Sequence, residues 1–359
     1  MKILDRYILG KFLGTFFVAL GLILAVAIVF DVSEKVEDFR KGATWAEIIF
    51  DYYLNFIAFY GNMFSAMILF ISTIWFSSRM ASNTEIVAIL TGSVSFNRML
   101  RPYFIGATII AIISLGLTHF VIPKTNIKRL KFEHTYVGSG YREVYNKNIH
   151  RQIAPGKFAY FETFNQDRQS GYHFTYEIIE DSKLKYKLAS DFIRFDTIAQ
   201  KWRLDNWTIR QIDDEGNEIL KYGRRMDTVF AFSPAEVTPR LYTTSMMNTP
   251  QLLEFIEKEK IRGSENMSAY KVELHRRTSW PASTFVLILI AVSLCTKKTR
   301  GGLGVNMTIG LLLCFTYVFM MQVSTTFASK DSLSPLVAVW IPNIIFAVIG
   351  YYLYKIAPK

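Results

Sequence analysis

At 359 residues, 51% of them hydrophobic and with positive mean hydropathy, the chain is too apolar for an ordinary soluble protein of its length. Its net charge of +11 is placed in short clusters beside apolar runs, so the basic balance marks a membrane protein and not a nucleic-acid binder. Both cysteines, Cys295 and Cys314, fall in apolar runs, which leaves an exported segment to fold without disulfides.

A bilayer core takes about 20 apolar residues in a helix. Six charge-free runs meet or approach that length: 12–30, 52–76, 103–122, 278–296, 301–329 and 332–354. The first is longer than a signal-peptide core of roughly 7–15 residues and no A-x-A site follows it, so it is expected to be a retained helix. Lys2, Arg6 and Lys11 precede the first run. Arg79, Arg98 and Arg101 lie between the second and third, Lys297, Lys298 and Arg300 between the fourth and fifth, and Lys355 and Lys359 end the chain. Short Lys/Arg-rich loops stay in the cytoplasm, so both termini are expected inside and the long segment 123–277 outside.

Just after the first run, Asp31, Glu34, Lys35, Glu37, Asp38, Arg40 and Lys41 crowd one segment. This reads either as a solvated helix end or as a grip on anionic head groups through Lys35, Arg40 and Lys41. Lys124, Lys128, Arg129 and Lys131 leave the third run, and Arg276 and Arg277 enter the fourth, at the same expected level. Three basic clusters at one interface suit phosphate or carboxylate.

The stretch 82–95 lies on the expected cytoplasmic side and reads as a short amphipathic helix. Thr84 or Ser82 can cap it, Glu85 sits in its first turn, Ile86, Ile89 and Leu90 form an apolar face, and Gly92 fits a left-handed stop. It carries an acid and no Lys or Arg, which suits a protein groove bearing a cation better than anionic lipid.

Beyond the third run the pattern changes to a period of two: Phe174, Tyr176 and Ile178, then Leu184, Tyr186 and Leu188, then Trp202 and Leu204, then Trp207 and Ile209. Turn clusters at 165–171, 180–183 and 213–217 separate these runs, and together they predict a β-sandwich or jelly roll. Thr249 and Pro250 then open a helix, and a second helix from about Ser268 runs into the fourth span. The expected organisation is residues 1–122 as three spans with the cytoplasmic helix at about 82–98, 123–247 as a β domain, 248–277 as a helical return, and 278–359 as three more spans.

No G-x-x-x-x-G-K-[ST] loop, H-E-x-x-H pair or G-x-S-x-G elbow occurs, so nothing points to a nucleotide site, a metal, a cofactor or a catalytic centre. His119, within the third run, is expected to be a packed or hydrogen-bonded residue.

Four segments carry a family resemblance: Ile3-Leu4-Asp5-Arg6-Tyr7-Ile8; 82–101 with Glu85, Gly92-Ser93-Val94-Ser95 and Arg101-Pro102; Glu273-Leu274-His275-Arg276-Arg277 followed by Pro281; and Ser334-Pro335-Leu336 with Trp340-Ile341-Pro342-Asn343-Ile344-Ile345-Phe346. In that order the chain resembles the lipopolysaccharide-export permeases, the LptF/LptG (YjgP/YjgQ) family, over essentially its whole length.

The resemblance implies a non-enzymatic permease subunit in the bacterial inner membrane, with six transmembrane helices and an inserted periplasmic β-jelly-roll domain. It implies a paralogous permease subunit, a cytoplasmic ABC ATPase dimer docked on the helix at Glu85, Ile86, Ile89, Leu90 and Gly92, and periplasmic jelly-roll bridge proteins that receive the lipopolysaccharide. Lys35, Arg40 and Lys41, with Arg276 and Arg277, are then the candidates for the lipid phosphates. The alternatives are a permease for another envelope lipid or lipoprotein, and a membrane scaffold that moves nothing.

Overall fold

The computed structural model describes residues 3–40, 42–137, 145–213, 215–237, 241–264, 266–296 and 302–357. They form two compact units: Met1–Ser139, Thr244–Leu252 and Ser268–Lys359 in one, Gly140–Thr243 and Leu253–Met267 in the other. The basic residues Lys2, Lys41, Lys297, Lys298, Arg300 and Lys359 lie outside the described residues.

The first unit is helical. α1 spans Ile3–Phe39, and a π-helical turn at Glu47–Tyr53 leads into α2, Leu54–Ser82. α3 is Glu85–Thr91 and α4 is Phe96–Gly116. A second π turn at Leu117–Val121 carries the chain into α5, Ile122–Phe132, and a third follows at Glu133–Val137. Among the described residues six helical stretches are long and apolar enough to cross a membrane: Ile3–Phe39, Glu47–Ser82, Phe96–Val137, Met267–Cys295, Leu303–Ser329 and Pro335–Ile356. Each contains most of one charge-free run and most extend beyond it. α1 in particular, at 37 residues, is about 55 Å long and keeps 31–39 helical beyond the apolar run.

The two largest apolar cores hold most of these helices together. Phe12 and Phe16 of α1, Leu69 of α2 and Tyr103 and Ile110 of α4 meet Ile288 and Val292 in the first. Phe70 and Ile74 pack with Leu287, Ala291, Cys295, Tyr317, Met321 and Phe346 in the second. The two cores draw on three further helices: α8 (Met267–Cys295), α9 (Gly302–Ser329) and α10 (Pro335–Ile356). α1 and α4 approach closely at Gly106, where an added Cβ would lie 2.4 Å from the Phe12 ring.

Polar groups join the spans where the backbone has lost a partner. Pro342 inside α10 cannot donate to the carbonyl four residues back, and the Ser324 hydroxyl of α9 donates to that Ala338 oxygen at 2.5 Å. The Tyr317 hydroxyl donates to Asn343 Oδ1 at 2.9 Å, and Asn343 Nδ2 donates to the Ser279 carbonyl at 3.1 Å, which ties α8, α9 and α10.

The second unit is a single six-stranded antiparallel sheet: β1 Tyr145–Ala154, β2 Lys157–Asn165, β3 Ser170–Glu180, β4 Lys183–Asp196, β5 Lys201–Ile212 and β6 Glu218–Thr228. The inserted β domain is as expected. Its connectivity is a meander, each strand pairing only with its neighbours in sequence, where a jelly roll would need crossing connections. The reason is local: every connection is short enough to allow only a hairpin.

The sheet bends instead of splitting into two layers. Pairing is interrupted at one level on every strand, along the row Asn148, Glu162, His173, Asp191, Asn206 and Arg224. Alternate members, Asn148, His173 and Asn206, take positive φ of 54°, 50° and 54°. Across this row the inward side chains jump by three positions instead of two: Phe161 to Phe164, Gly171 to Phe174, Ser190 to Ile193, Leu204 to Trp207. The crease thereby keeps both halves of the sheet facing one core of Phe161, Phe164, Phe174, Leu188, Ile193, Trp202 and Leu204. After β6 the chain crosses this concave face and inserts Phe230 and Phe232, with Trp202 Nε1 donating to the Phe232 carbonyl at 3.2 Å.

Charge closes the unit. Arg151 of β1 is 6% exposed and donates to Glu259, 0% exposed, at 2.7 Å, and its Nε donates to the Val237 carbonyl at 2.9 Å. Glu259 belongs to α7, Thr249–Ile261. Arg262 just beyond it pairs with both Glu259 and Glu236, the latter in the short helix α6, Pro234–Val237.

Candidate functional site

The helix predicted at 82–95 is α3, and its ends differ from expectation. Thr84 sits at φ 62° and its hydroxyl donates to the Asn83 carbonyl, so it caps nothing, and Ser82 still belongs to α2. Gly92 has φ −75°, and the left-handed position is Ser93, φ 65°. Gly92 N still donates to Ala88 O at 3.0 Å as in regular helix, and Val94 N donates to Ile89 O at 3.4 Å, the six-to-one bond of a Schellman stop whose left-handed residue is Ser93, one later than the glycine.

The apolar face of α3 is turned inward. Ile86 is 1% exposed and joins the core with Met80, Ala81 and Phe96, and Ile89 and Leu90 pack against it. Of the three residues expected to meet a partner's groove, Ile86 is buried within this chain, while Ile89 and Leu90 keep part of their surface open. The face left open carries Val87, Ala88, Thr91 and Gly92.

Glu85 stands at the edge of that face. The Tyr7 hydroxyl donates to its Oε2 at 3.2 Å and Asn83 Nδ2 to its Oε1 at 3.2 Å. Both donors are neutral, so they orient the carboxylate without cancelling its charge. Close by in sequence, Ser95 caps α4 by accepting from Arg98 N, and the Arg98 guanidinium donates to both oxygens of Asp5 at 2.6 Å. Asn97 accepts from the Tyr354 hydroxyl at 2.6 Å, which brings the last helix to the same place.

The basic candidates separate into exposed and engaged residues. Lys35 donates to Asp31 at 2.7 Å and to the Tyr52 hydroxyl, and lies over the Tyr52 ring at 4.9 Å. Tyr52 and Tyr53 also donate to Asp31, each at 3.1 Å, so one carboxylate collects three donors inside an aromatic nest of Phe39, Phe56 and Phe132. Arg277 is 3% exposed and donates to Thr244 O at 2.8 Å, Met247 O at 2.9 Å and Thr249 Oγ1 at 3.2 Å. Its guanidinium holds the turn before α7, so of the candidates for the lipid phosphates it is the one most engaged within the chain. Arg276 stays half exposed and pairs with Glu273 at 2.5 Å, and Arg40 is exposed. Lys41 lies outside the described residues.

Thr249 does not cap α7 either. Asn248 and Gln251 form a reciprocal capping box at 2.9 and 3.0 Å, and Thr249 instead meets His119 Nδ1 at 2.6 Å, the hydrogen-bonded role expected of that histidine.

Arg129 stands apart from Lys124, Lys128 and Lys131, with which its sequence position groups it. It is 7% exposed, 4.7 Å from the Phe59 ring, and bonded to Asn126 and Glu133. The sequence holds the signal: Asn126, Arg129 and Phe132 recur every three residues and share the buried face of α5, which the lysines avoid. Among the described residues no group of His, Cys, Asp and Glu could hold a metal.

Residues 6–356 match the family model described as "Lipopolysaccharide export system permease LptF/LptG". No curated protein matches the chain.

Proposed function

The chain belongs to the LptF/LptG family of lipopolysaccharide export permeases, inner-membrane transport subunits and not enzymes, and on that premise we propose that it couples a cytoplasmic ABC ATPase dimer to lipopolysaccharide extraction. It pairs with a paralogous permease subunit, both its termini are cytoplasmic, and its β unit is periplasmic.

The observation that carries this reading is α3: a short helix anchored by Ile86, with an open face of Val87, Ala88 and Thr91 beside the oriented, uncancelled charge of Glu85. That surface suits a protein groove lined by small apolar contacts and one cation. The energetics call for such a device. Drawing an acyl chain into water costs about 0.8 kcal/mol per CH₂, roughly 10 kcal/mol for twelve carbons, so a multi-chain lipid needs both an apolar route and an outside energy source.

For the phosphates, Arg40, Arg276 and Lys41 are the first contacts, and Lys35 joins only by leaving Asp31. Hand-off to a periplasmic bridge uses the β unit, whose last strand β6 is an edge with Leu220 and Tyr222 largely exposed. The test is Glu85→Arg in the full chain. It should abolish ATPase co-purification and export, and survival of both sinks the coupling reading.

A further inference from the structure

The first two turns of α1 touch the coupling region twice. Asp5 is 6% exposed and receives both nitrogens of the Arg98 guanidinium at 2.6 Å. Two residues on, exposed Tyr7 donates to Glu85 Oε2 at 3.2 Å. Residues 5 and 7 lie roughly 200° apart around a helix, so α1 holds α4 from its buried side and α3 from its open side.

The two contacts do different work. A carboxylate on a free Glu side chain samples many rotamers, and binding it to a cation on another protein costs the entropy of fixing it. Tyr7 and Asn83 meet that cost in advance while leaving the charge whole. The Asp5–Arg98 pair is bidentate and largely shielded, the geometry in which an ion pair is stiff and directional. α3 is separated from α2 and α4 by only a few residues, and Ile86 fixes its inner face to the core. The Arg98 link adds a direct tie between α1 and α4, so that α1 contacts both α3, through Tyr7, and α4, through Asp5.

We propose that Asp5 and Tyr7 are positioning residues for energy coupling. Tyr7 aims Glu85 at a cationic side chain of the ATPase, and Asp5, through Arg98, makes α1 move with the coupling helix. The proposal rests on the coupling reading of α3.

The test uses the full chain reconstituted in lipid with its permease partner and ATPase, reading ATPase affinity and lipopolysaccharide released per ATP hydrolysed. Tyr7→Phe removes one hydroxyl from an exposed position and should weaken ATPase affinity about fivefold, an effect that disappears in the Glu85→Gln background. Asp5→Asn should lower lipid released per ATP with ATPase affinity retained, and the reversed pair Asp5→Arg with Arg98→Asp should restore much of it. A Tyr7→Phe cost that persists in the Glu85→Gln background, or an Asp5→Asn chain as well coupled as wild type, overturns the proposal. Unchanged affinity in Glu85→Gln itself overturns the coupling reading beneath it.

Discussion

The Ser324 hydroxyl sits 2.5 Å from the Ala338 carbonyl oxygen, the one backbone acceptor that Pro342 deprives of its helical donor. Both residues are nearly fully buried, so the acceptor would otherwise face hydrocarbon or packed side chains. Ser324→Ala should therefore lower stability by about 1–2 kcal/mol, read from thermal unfolding in detergent. The same change in a Pro342→Ala background should cost much less, because the new amide at 342 serves Ala338. Equal costs in both backgrounds would show that the hydroxyl is not a substitute donor.

Arg276 and Arg277 are adjacent and predict opposite outcomes. Arg277→Gln leaves the Thr244 and Met247 carbonyls without their donor, and should destabilise by about 2–4 kcal/mol, with faster hydrogen exchange over 244–249. Arg276→Gln removes an exposed ion pair and should change stability by less than about 0.5 kcal/mol. If the two variants unfold alike, the separation of a structural from a surface arginine fails.

Glu259 and Arg151 form a pair withdrawn from water. Glu259→Gln strands a buried guanidinium, and a loss of about 3–5 kcal/mol is expected, seen as loss of protection in β1. Replacing both partners, Arg151→Met with Glu259→Leu, should recover most of it. A double variant worse than the single would refute the desolvation argument.

Glu236 gives a pH dependence. Burial alone would raise its pKa, but the Arg262 hydrogen bond and the Ser233 amide outweigh burial and hold it below its ordinary 4.5. A depressed carboxylate stabilises the fold above its unfolded value, and that contribution is lost as pH falls from about 4.5 through the folded value. Unfolding midpoints of wild type and Glu236→Gln should thus differ at neutral pH and converge in acid. A gap that stays constant down to pH 3 would exclude the carboxylate as the titrating group.

The six spans are legible in the sequence because charge-free length needs no tertiary knowledge, and the strands because alternation is local. What stays hidden depends on distant partners. Lys35 reads as a free cation until Tyr52 and Tyr53 are placed beside it, and Arg277 until the turn at 244–249 folds onto it. The Asp31–Lys35 spacing of four is itself a clue to pairing on one helix. In β5, Trp202 and Leu204 followed by Trp207 and Ile209 change parity, and that change alone marks the neighbourhood of Asn206. The stop of α3 falls one residue later than expected because Gly92 looks the natural left-handed site, while the hydrogen bonds put Ser93 there.

The row from Asn148 to Arg224 also limits how this domain can change. The four central strands exchange inside for outside together at that level. Losing one residue near the row in a single strand would turn half of that strand's aromatic side chains to water while the adjoining strands stayed in place. Length variation is therefore confined to the hairpin tips, and four polar positions well separated in sequence descend together as if they were one.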